Sequence, residues 1–169
     1  MAEPAEDGAL ALEIAAATIE DVPLILRFIR ELAEYEKRLD EVVAGEAELR
    51  RSLFADPPQA EVLLARVDAE AIGFALYFHN YSTFLGRRGI WLEDLFVRPQ
   101  WRGRGVGRRL LQRLAQIALE RDCGRLEWWV LDWNDDAIAF YRRLGAVAMS
   151  EWTVQRLAGK ALKRLAGGG

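Results

Sequence analysis

The sequence has very little of the two residues that most often bind transition metals, cysteine and histidine. Of its 169 residues, one is cysteine and one is histidine. Cys123 therefore has no partner in the chain for a disulfide, and no Cys/His cluster is spaced for zinc. We expect no metal. His79 lies at the end of a predicted strand beside Asn80 and Tyr81, where a structural role is favoured over a catalytic one.

Long apolar runs are also missing, and no stretch reaches the length that spans a bilayer. Residues 1–8 are acidic and lack the basic start and apolar middle of a secretion signal.

Positive charge is not in excess, because the formal net charge is -3. This balance argues against general affinity for nucleic acids or acidic membranes. We expect a cytoplasmic protein with no membrane or nucleic-acid partner.

Apolar residues are plentiful, at 51% of a chain of ordinary single-domain length, which is enough for one buried core. We expect one domain over residues 12–166, with disordered ends at 1–11 and 167–169. The pattern predicts a strand over 12–16, then a helix that a Thr18-x-x-Asp21 capping box opens. The remaining elements of the first half are a weaker helix over 46–54 and strands over 61–67 and 71–78 that form a hairpin.

The middle of the chain has the pattern of a strand, a helix and a second strand. An apolar strand over 90–97 precedes a helix whose apolar residues recur from Val106 to Ala118, with Gly124 at its expected end, and a strand over 126–131 follows. Such a unit requires parallel pairing and a right-handed crossover. The fold class is therefore α/β, of the α+β type, with a mixed, twisted sheet flanked by helices.

The pattern of the last part of the chain predicts one further helix and one strand, and it leaves the conformation of the final segment undecided. Asn134 can cap a helix that runs through Leu144 and that Gly145 closes. A strand is expected over 152–157. The basic segment 160–166 is too short for its periodicity to decide between strand and helix.

The segment that joins the 90–97 strand to the next helix has the pattern Arg102-x-x-Gly105-x-Gly107. Glycine lets a ligand approach the backbone closely, and the unpaired amides at a helix start bind phosphate. Arginines in and after the loop add positive charge. No Gly-Lys-Ser/Thr follows, which excludes a Walker A loop, and the third glycine is one residue early for G-x-G-x-x-G. A charged helix start without a ligand, or an Arg/Gly patch for nucleic acid, remains the alternative.

This loop resembles the acyl-coenzyme A loop of the GNAT N-acetyltransferases, whose pattern is Gln/Arg-x-x-Gly-x-Gly/Ala. The helix after Asn134 resembles the second cofactor element of the same family, N-x-x-A-x-x-F-Y-x-x-x-G. Segments 30–36, 73–78 and 92–97 further resemble the diamine acetyltransferases of spermidine/spermine type and their thialysine-acetylating relatives. The resemblance covers residues 12–157. It implies a GNAT-like, mostly antiparallel sheet with a central parallel strand pair, an acetyl-coenzyme A-dependent enzyme and a homodimer.

The resemblance also assigns residues to the site, with Tyr141 and Glu93 as the catalytic pair. The positions that it implies for acetyl-coenzyme A are Leu95, Phe96, Val97, Arg102, Gly103, Arg104, Gly105, Val106, Gly107, Arg108, Asn134, Ala137, Phe140 and Arg143. Those that it implies for the amine are Tyr35, Glu36, Glu93, Asp94, Glu127, Trp128 and Trp129. Segment 127–129 and the C-terminal segment depart from the relatives, which leaves the amine open.

Some of these residues also have a purely structural interpretation. Tyr141 shares a helix face with Ala137 and Leu144, so it could be a packing residue. Tryptophans 128, 129 and 133 could offer aromatic faces to a cation, but a place in the core is favoured for them. By composition alone, Tyr35 and Glu36 would form a solvated helix end.

Acyl transfer to an amine requires a proton to be removed first. A lysine-like ammonium has a pKa near 10.4, so freeing the amine at pH 7 costs roughly 4 to 5 kcal/mol. Glu93 either accepts this proton, directly or through water, or only holds the ammonium. On the leaving side, a phenol would protonate a thiolate uphill by roughly 2 kcal/mol, so Tyr141 either protonates the sulfur or hydrogen-bonds it.

The sequence thus predicts an enzyme that acetylates a primary amine of a small polyamine or lysine-like molecule by direct attack in a ternary complex. The enzymatic alternative is a GNAT enzyme that acts on protein lysines or N-termini. The alternative from another class is an acyl-coenzyme A-binding sensor without turnover.

Overall fold

The computed structural model of the chain describes residues 11–167. They form two compact units, the first ending at Trp129 and the second beginning at Val130. The disorder predicted for 1–11 and 167–169 falls, apart from residues 11 and 167, outside the described residues. The single domain predicted over 12–166 stays a prediction.

One five-stranded sheet forms the centre of the first unit. Its strands are β1 (Leu12–Ala16), β2 (Glu61–Val67), β3 (Glu70–Ser82), β4 (Arg87–Val97) and β5 (Leu126–Trp128). They lie side by side in sequence order. Neighbours are antiparallel except β4 and β5, which are parallel. The predicted mixed, mostly antiparallel sheet is therefore confirmed.

The strand bounds differ from the sequence prediction mainly at one end of the sheet. The β2–β3 hairpin is as predicted. β3 and β4 are longer than predicted, because the last residues of β3 pair with the first residues of β4, beginning with Ser82 opposite Arg87. β5 ends at Trp128 instead of residue 131, since only its three residues pair with β4.

The first helix, α1 (Val22–Tyr35), follows a 3-10 turn over Ile19–Asp21. The predicted capping box is present: the backbone N–H of Thr18 donates to the Asp21 carboxylate at 2.8 Å. This contact satisfies a donor at the helix entrance that no helical carbonyl reaches. The predicted short helix is also present, as α2 (Glu46–Leu53).

An aromatic cluster holds α1 on one face of the sheet. The Phe28 ring stacks on the Phe74 ring of β3 with 5.4 Å between centroids, and it contacts Phe96 of β4 at 6.2 Å. All three side chains are buried. Burial of such side chains contributes about 1.5 to 3 kcal/mol each. The other buried members of this core are Val22, Ile25, Leu26, Leu49, Leu53, Val62, Leu64 and Ala71.

The third helix, α3 (Val106–Glu120), packs on the opposite face. Tyr77 and Phe74 are an odd number of residues apart on β3, so their side chains point to opposite faces. Just after α3, Arg121 reaches the Tyr77 face, where its guanidinium holds the Glu61 carboxylate with contacts of 2.5 and 2.8 Å. The helix ends at Glu120, before Gly124, where its end was predicted, and the left-handed residue that follows it is Asp122, with φ 51°.

The second unit contains two short helices, α4 (Asp135–Arg143) and α5 (Gly159–Ala166). The first is the helix that Asn134 was predicted to cap. The segment 160–166, undecided from its sequence, is helical. The strand predicted over 152–157 was wrong, because this segment has no strand partner and Trp152 is 74% exposed. Apolar composition alone does not make a strand without an edge to pair with.

Candidate active site

The segment between β4 and α3 forms an open, glycine-containing loop. Gly103 and Gly105 have φ angles of 73° and 81°, a region in which other L-residues are strained. A Cβ atom on either glycine would meet no atom within 4 Å. Gly105 is also the N-cap of α3, so the amides of the first helical turn, which lack intrahelical acceptors, lie next to this open space.

Four arginines surround the loop, and they form two groups. The guanidinium of Arg102 lies 4.6 Å from the Tyr35 ring centroid, and that of Arg104 lies 5.1 Å from a tryptophan ring centroid. Arg108 and Arg109 are exposed on the first turn of α3, without an ion pair to any residue in 11–167. Positive charge beside unpaired amides is a combination that suits phosphate.

β4 is irregular where the predicted site residues lie. Consecutive residues of β3 pair with Leu92 and Asp94, so Glu93 is an extra residue, a β-bulge. β5 pairs with β4 only up to Leu92. In the described part of the chain, no strand therefore pairs with the edge of residues 93–97 that faces away from β3. Backbone groups on such an edge can bind an extended ligand.

Glu93 is fixed by a tryptophan on its own strand. The indole Nε1–H of Trp91 donates to the Glu93 carboxylate at 3.0 Å. The ring of Trp91 packs edge-on against Trp129, with centroids 5.1 Å apart and an interplanar angle of 82°. Trp129 remains 54% exposed, so the core position favoured for it was wrong. The Glu93 carboxylate thus lies beside the aromatic pair of Trp91 and Trp129. A carboxylate next to aromatic rings suits an alkylammonium group.

Asp94 differs from its neighbour in burial. Its pKa is raised to about 7, first by burial and then by the negative charges of Glu93 and Glu36. Burial also raises the pKa of Glu36, which Arg38 partly offsets. The three carboxyl groups are thus electrostatically coupled between the end of α1 and the bulge of β4. An environment that raises the pKa of a carboxyl group close to neutral pH is common at catalytic sites.

Glu127, in contrast, is neutralised by protein groups. Its carboxylate accepts from the Asn80 Nδ2 amide at 2.8 Å and pairs with Arg125 Nε at 2.7 Å. Trp128, the next residue of β5, is half-buried. The Glu127 carboxylate is therefore less available to a substrate cation than the Glu36, Glu93 and Asp94 group.

The second unit contains the predicted Asn134 element. The Asn134 side chain accepts a hydrogen bond from the Ala137 amide at 3.3 Å and caps α4. The Phe140 and Tyr141 rings pack with centroids 5.3 Å apart. Trp133 is 54% exposed, so the core position favoured for it was also wrong. Arg143 is exposed on the last turn of α4.

Sequence reasoning missed one residue and one contact in the first unit. Trp91 is two residues before Glu93 on a strand, a spacing that normally puts side chains on one face, and this signal could have identified it. The Arg102 contact with Tyr35 had no sequence signal, because the two residues are far apart in the chain. Arg102 Nε also donates to the Val97 carbonyl at 2.9 Å.

The described residues contain neither a metal-binding cluster nor a membrane-spanning helix. Between residues 11 and 167, no group of three or more His, Cys, Asp or Glu side chains is arranged to hold a metal ion. No helix in that range is both long and apolar enough to cross a bilayer.

Comparison with known proteins connects this geometry to one family. Residues 27–146 match the model of the acetyltransferase (GNAT) family. The chain is 42% identical to the thialysine N-epsilon-acetyltransferase of Bos taurus over 154 residues, which is 85% of the chain and 90% of that protein. It is 35% identical to the spermidine/spermine N(1)-acetyltransferase-like protein 1 of Homo sapiens over 145 residues, 82% of the chain and 21% of that protein.

The fold has solved counterparts as well. An integron cassette protein from the mobile metagenome of V. cholerae superposes with a TM-score of 0.77 at 28% identity, covering 93% of this chain and 98% of its own. The family match, the level of identity and the mixed sheet agree with one another. The chain therefore belongs to the GNAT family and is an N-acetyltransferase, as its two motifs predicted.

Proposed function

We propose that this enzyme transfers the acetyl group of acetyl-coenzyme A to a primary amine of a small polyamine or lysine-like molecule, by direct attack in a ternary complex. The observation that carries the proposal is the cluster of Glu36, Glu93 and Asp94 beside the exposed Trp129 ring. Several carboxyl groups with one aromatic wall suit a small molecule with more than one positive charge. The names of two relatives, which act on thialysine or resemble spermidine/spermine acetyltransferases, support the same class.

The loop residues fit the phosphate end of acetyl-coenzyme A. The open space before Gly103 and Gly105 admits phosphate close to the backbone, and Arg108 supplies a positive charge without an ion-pair partner in the described residues. The unpaired edge of residues 95–97 supports the proposal that the pantetheine arm lies along β4. Bound there, acetyl-coenzyme A supplies the thioester carbonyl that the amine attacks.

The remaining predicted residues have proposed roles of two kinds. In the second unit, Asn134 and Ala137 bind the coenzyme, and Tyr141 protonates or hydrogen-bonds the leaving sulfur. In the first unit, Glu93 meets the substrate ammonium as base or as anchor, the two roles that the sequence leaves open. Tyr35 contributes to the amine site by its ring, which the Arg102 guanidinium covers.

A thiol-release assay with acetyl-coenzyme A tests the proposal against spermidine, thialysine, lysine and short peptides. We expect release with the small amines and little with peptides. Fast release only with peptides would favour an enzyme for protein lysines or N-termini. Tight acetyl-coenzyme A binding in calorimetry without release on any amine would favour a sensor.

Replacing Tyr141 with phenylalanine tests the leaving-group role. The change removes only the hydroxyl, so we expect turnover to fall by at least tenfold while acetyl-coenzyme A affinity stays within about threefold. Tyr81→Phe is the matched control, because Tyr81 is 64% exposed at the end of β3. Unchanged turnover in the Tyr141 variant would remove its chemical role.

We also propose that the enzyme is a homodimer that works in the cytoplasm, as the resemblance implies. One chain has a mass of 19.2 kDa. Light scattering of the purified protein should give twice this value, and a monomer mass at micromolar concentration would contradict the dimer.

A further inference from the structure

Two adjacent carboxyl groups on β4 have different surroundings. The Glu93 side chain is exposed and held by the Trp91 indole, whereas Asp94 is partly buried and forms no hydrogen bond or ion pair with any side chain in residues 11–167. We propose that Asp94, and not Glu93, accepts the proton of the substrate ammonium, while Trp91 and Glu93 hold that ammonium in place. This inference rests on the proposed function and divides its acid–base work between two residues.

The β-bulge provides the geometry for this division. Trp91 pairs with Phe78 and Asp94 pairs with Leu76, two β3 residues that are two apart and share a face. In a regular strand, Trp91 and Asp94 would point to opposite faces, since they are three residues apart. The extra residue, Glu93, brings them to the same face. That face also carries Phe96, which packs against α1.

The charges around Asp94 favour its role as a proton acceptor. Those that act on it come from Glu93 on its own strand and from Glu36 just after α1, and both are negative. Across the sheet, its neighbour Leu76 carries no charge. Burial and these charges raise the pKa of Asp94 to about 7, which matches the task of a base at neutral pH better than an unperturbed carboxyl group near 4.

Substrate binding would prepare Asp94 for the reaction. An ammonium group held by Glu93 is a nearby positive charge, which favours the ionised form of Asp94. The Asp94 carboxylate then takes one ammonium proton, and the freed amine nitrogen bonds to the acetyl carbonyl carbon as the carbon–sulfur bond breaks. The second proton of that nitrogen ends on the departing sulfur, and the proton on Asp94 returns to water. The products are the amide, coenzyme A and one proton.

Kinetics of isosteric variants separate the two roles. For Asp94→Asn, we expect kcat to fall at least 100-fold with KM within threefold, and the dependence of kcat/KM on pH around 7, which reports the free enzyme, to disappear. For Glu93→Gln, we expect KM to rise more than tenfold with kcat within fivefold. Trp91→Phe keeps an aromatic ring at this position and removes the indole N–H, so KM should rise while the midpoint of the kcat/KM pH profile stays unchanged.

The outcomes that overturn the inference are distinct from those that overturn the proposed function. A wild-type kcat together with a wild-type pH profile of kcat/KM in Asp94→Asn, or a 100-fold loss of kcat in Glu93→Gln, would overturn the role of Asp94 alone. No thiol release by the wild-type enzyme on any amine would overturn both. Calorimetry of acetyl-coenzyme A binding to each variant shows that the fold is intact.

A titration of the wild-type enzyme needs no variant. ¹³C NMR of the Asp94 carboxyl carbon should give a midpoint near neutral pH in the free enzyme. Adding a quaternary ammonium analogue, which has no proton to donate, should lower this midpoint. A midpoint near 4 that the analogue does not change would overturn the assignment.

Discussion

At the scale of single residues, Asp94, the proposed proton acceptor, shows how a buried carboxyl group destabilises the fold that holds it. Burial is the first cause of its raised pKa, so the ionised form is less favourable in the folded chain than in the unfolded chain. The folded chain keeps this proton up to about pH 7, whereas the unfolded chain loses it near 3.8. The Asp94 contribution to stability therefore falls as pH rises through this window.

We expect Asp94→Asn to raise the free energy of unfolding by about 2 to 4 kcal/mol at pH 8, because it removes a buried charge. The gain should shrink as the pH falls and approach zero below about pH 3, where Asp94 is protonated in both states. Urea denaturation at several pH values measures it. Asp122→Asn is the control, since the Asp122 side chain is 89% exposed, and it should show no such trend. A gain that is independent of pH would contradict the burial of charge at Asp94.

The sequence names candidate site residues but does not predict their surroundings. The Glu93 and Asp94 pair came from its resemblance to a family segment. The bulge did not, because a side-chain period of two contains no sign of an inserted residue. The difference between the two carboxyl groups, one held by Trp91 and one buried, is a property of tertiary packing that no local pattern carries.

At the scale of elements, the loop before α3 combines a left-handed backbone, which glycine adopts without strain, with open space in front of it. Gly105 has a left-handed φ and empty space where a Cβ would stand. A side chain there has two separate effects, since it strains the backbone by about 1 to 2 kcal/mol and occupies the approach to the helix amides. Gly86, between β3 and β4, has φ 65° and the same empty space, so it offers a matched control.

We expect Gly105→Ala and Gly86→Ala to lose similar stability in thermal unfolding. Only Gly105→Ala should weaken acetyl-coenzyme A binding in calorimetry, by at least tenfold, because only this loop is proposed to receive phosphate. Equal affinities in the two variants would contradict the loop assignment even if both proteins lose stability.

The prediction of elements succeeded where burial and periodicity agree and failed where pairing decides. α1, α3 and the β2–β3 hairpin have apolar faces that match their buried residues. The length of β5 and the absence of a strand over 152–157 depend on whether a neighbouring strand is available. Such long-range pairing leaves no trace in a short apolar segment.

At the scale of the whole molecule, burial is concentrated in the first unit. Among the described residues, every buried one lies in 11–129, and none lies in 130–167. The second unit has two helices of nine and eight residues, and isolated helices shorter than about 12 to 15 residues are marginal in water.

We therefore expect a peptide of residues 130–167 to be largely unfolded. Circular dichroism should show little helix and no cooperative melting. A cooperative thermal transition in this peptide would mean that the second unit has a core of its own, against the exposure of its side chains.

The position of Arg102 has a consequence for how the enzyme binds its two substrates. This single guanidinium belongs to the loop that is proposed to receive phosphate, and it covers the Tyr35 ring at the proposed amine site. A phosphate group that attracts Arg102 toward the loop would uncover the Tyr35 ring. The binding of coenzyme A and the binding of the amine should therefore be coupled through this one side chain. Thermodynamic linkage makes such an effect mutual. If coenzyme A changes the dissociation constant of spermidine, spermidine must change that of coenzyme A by the same factor. We expect Arg102→Met to bring this factor close to one.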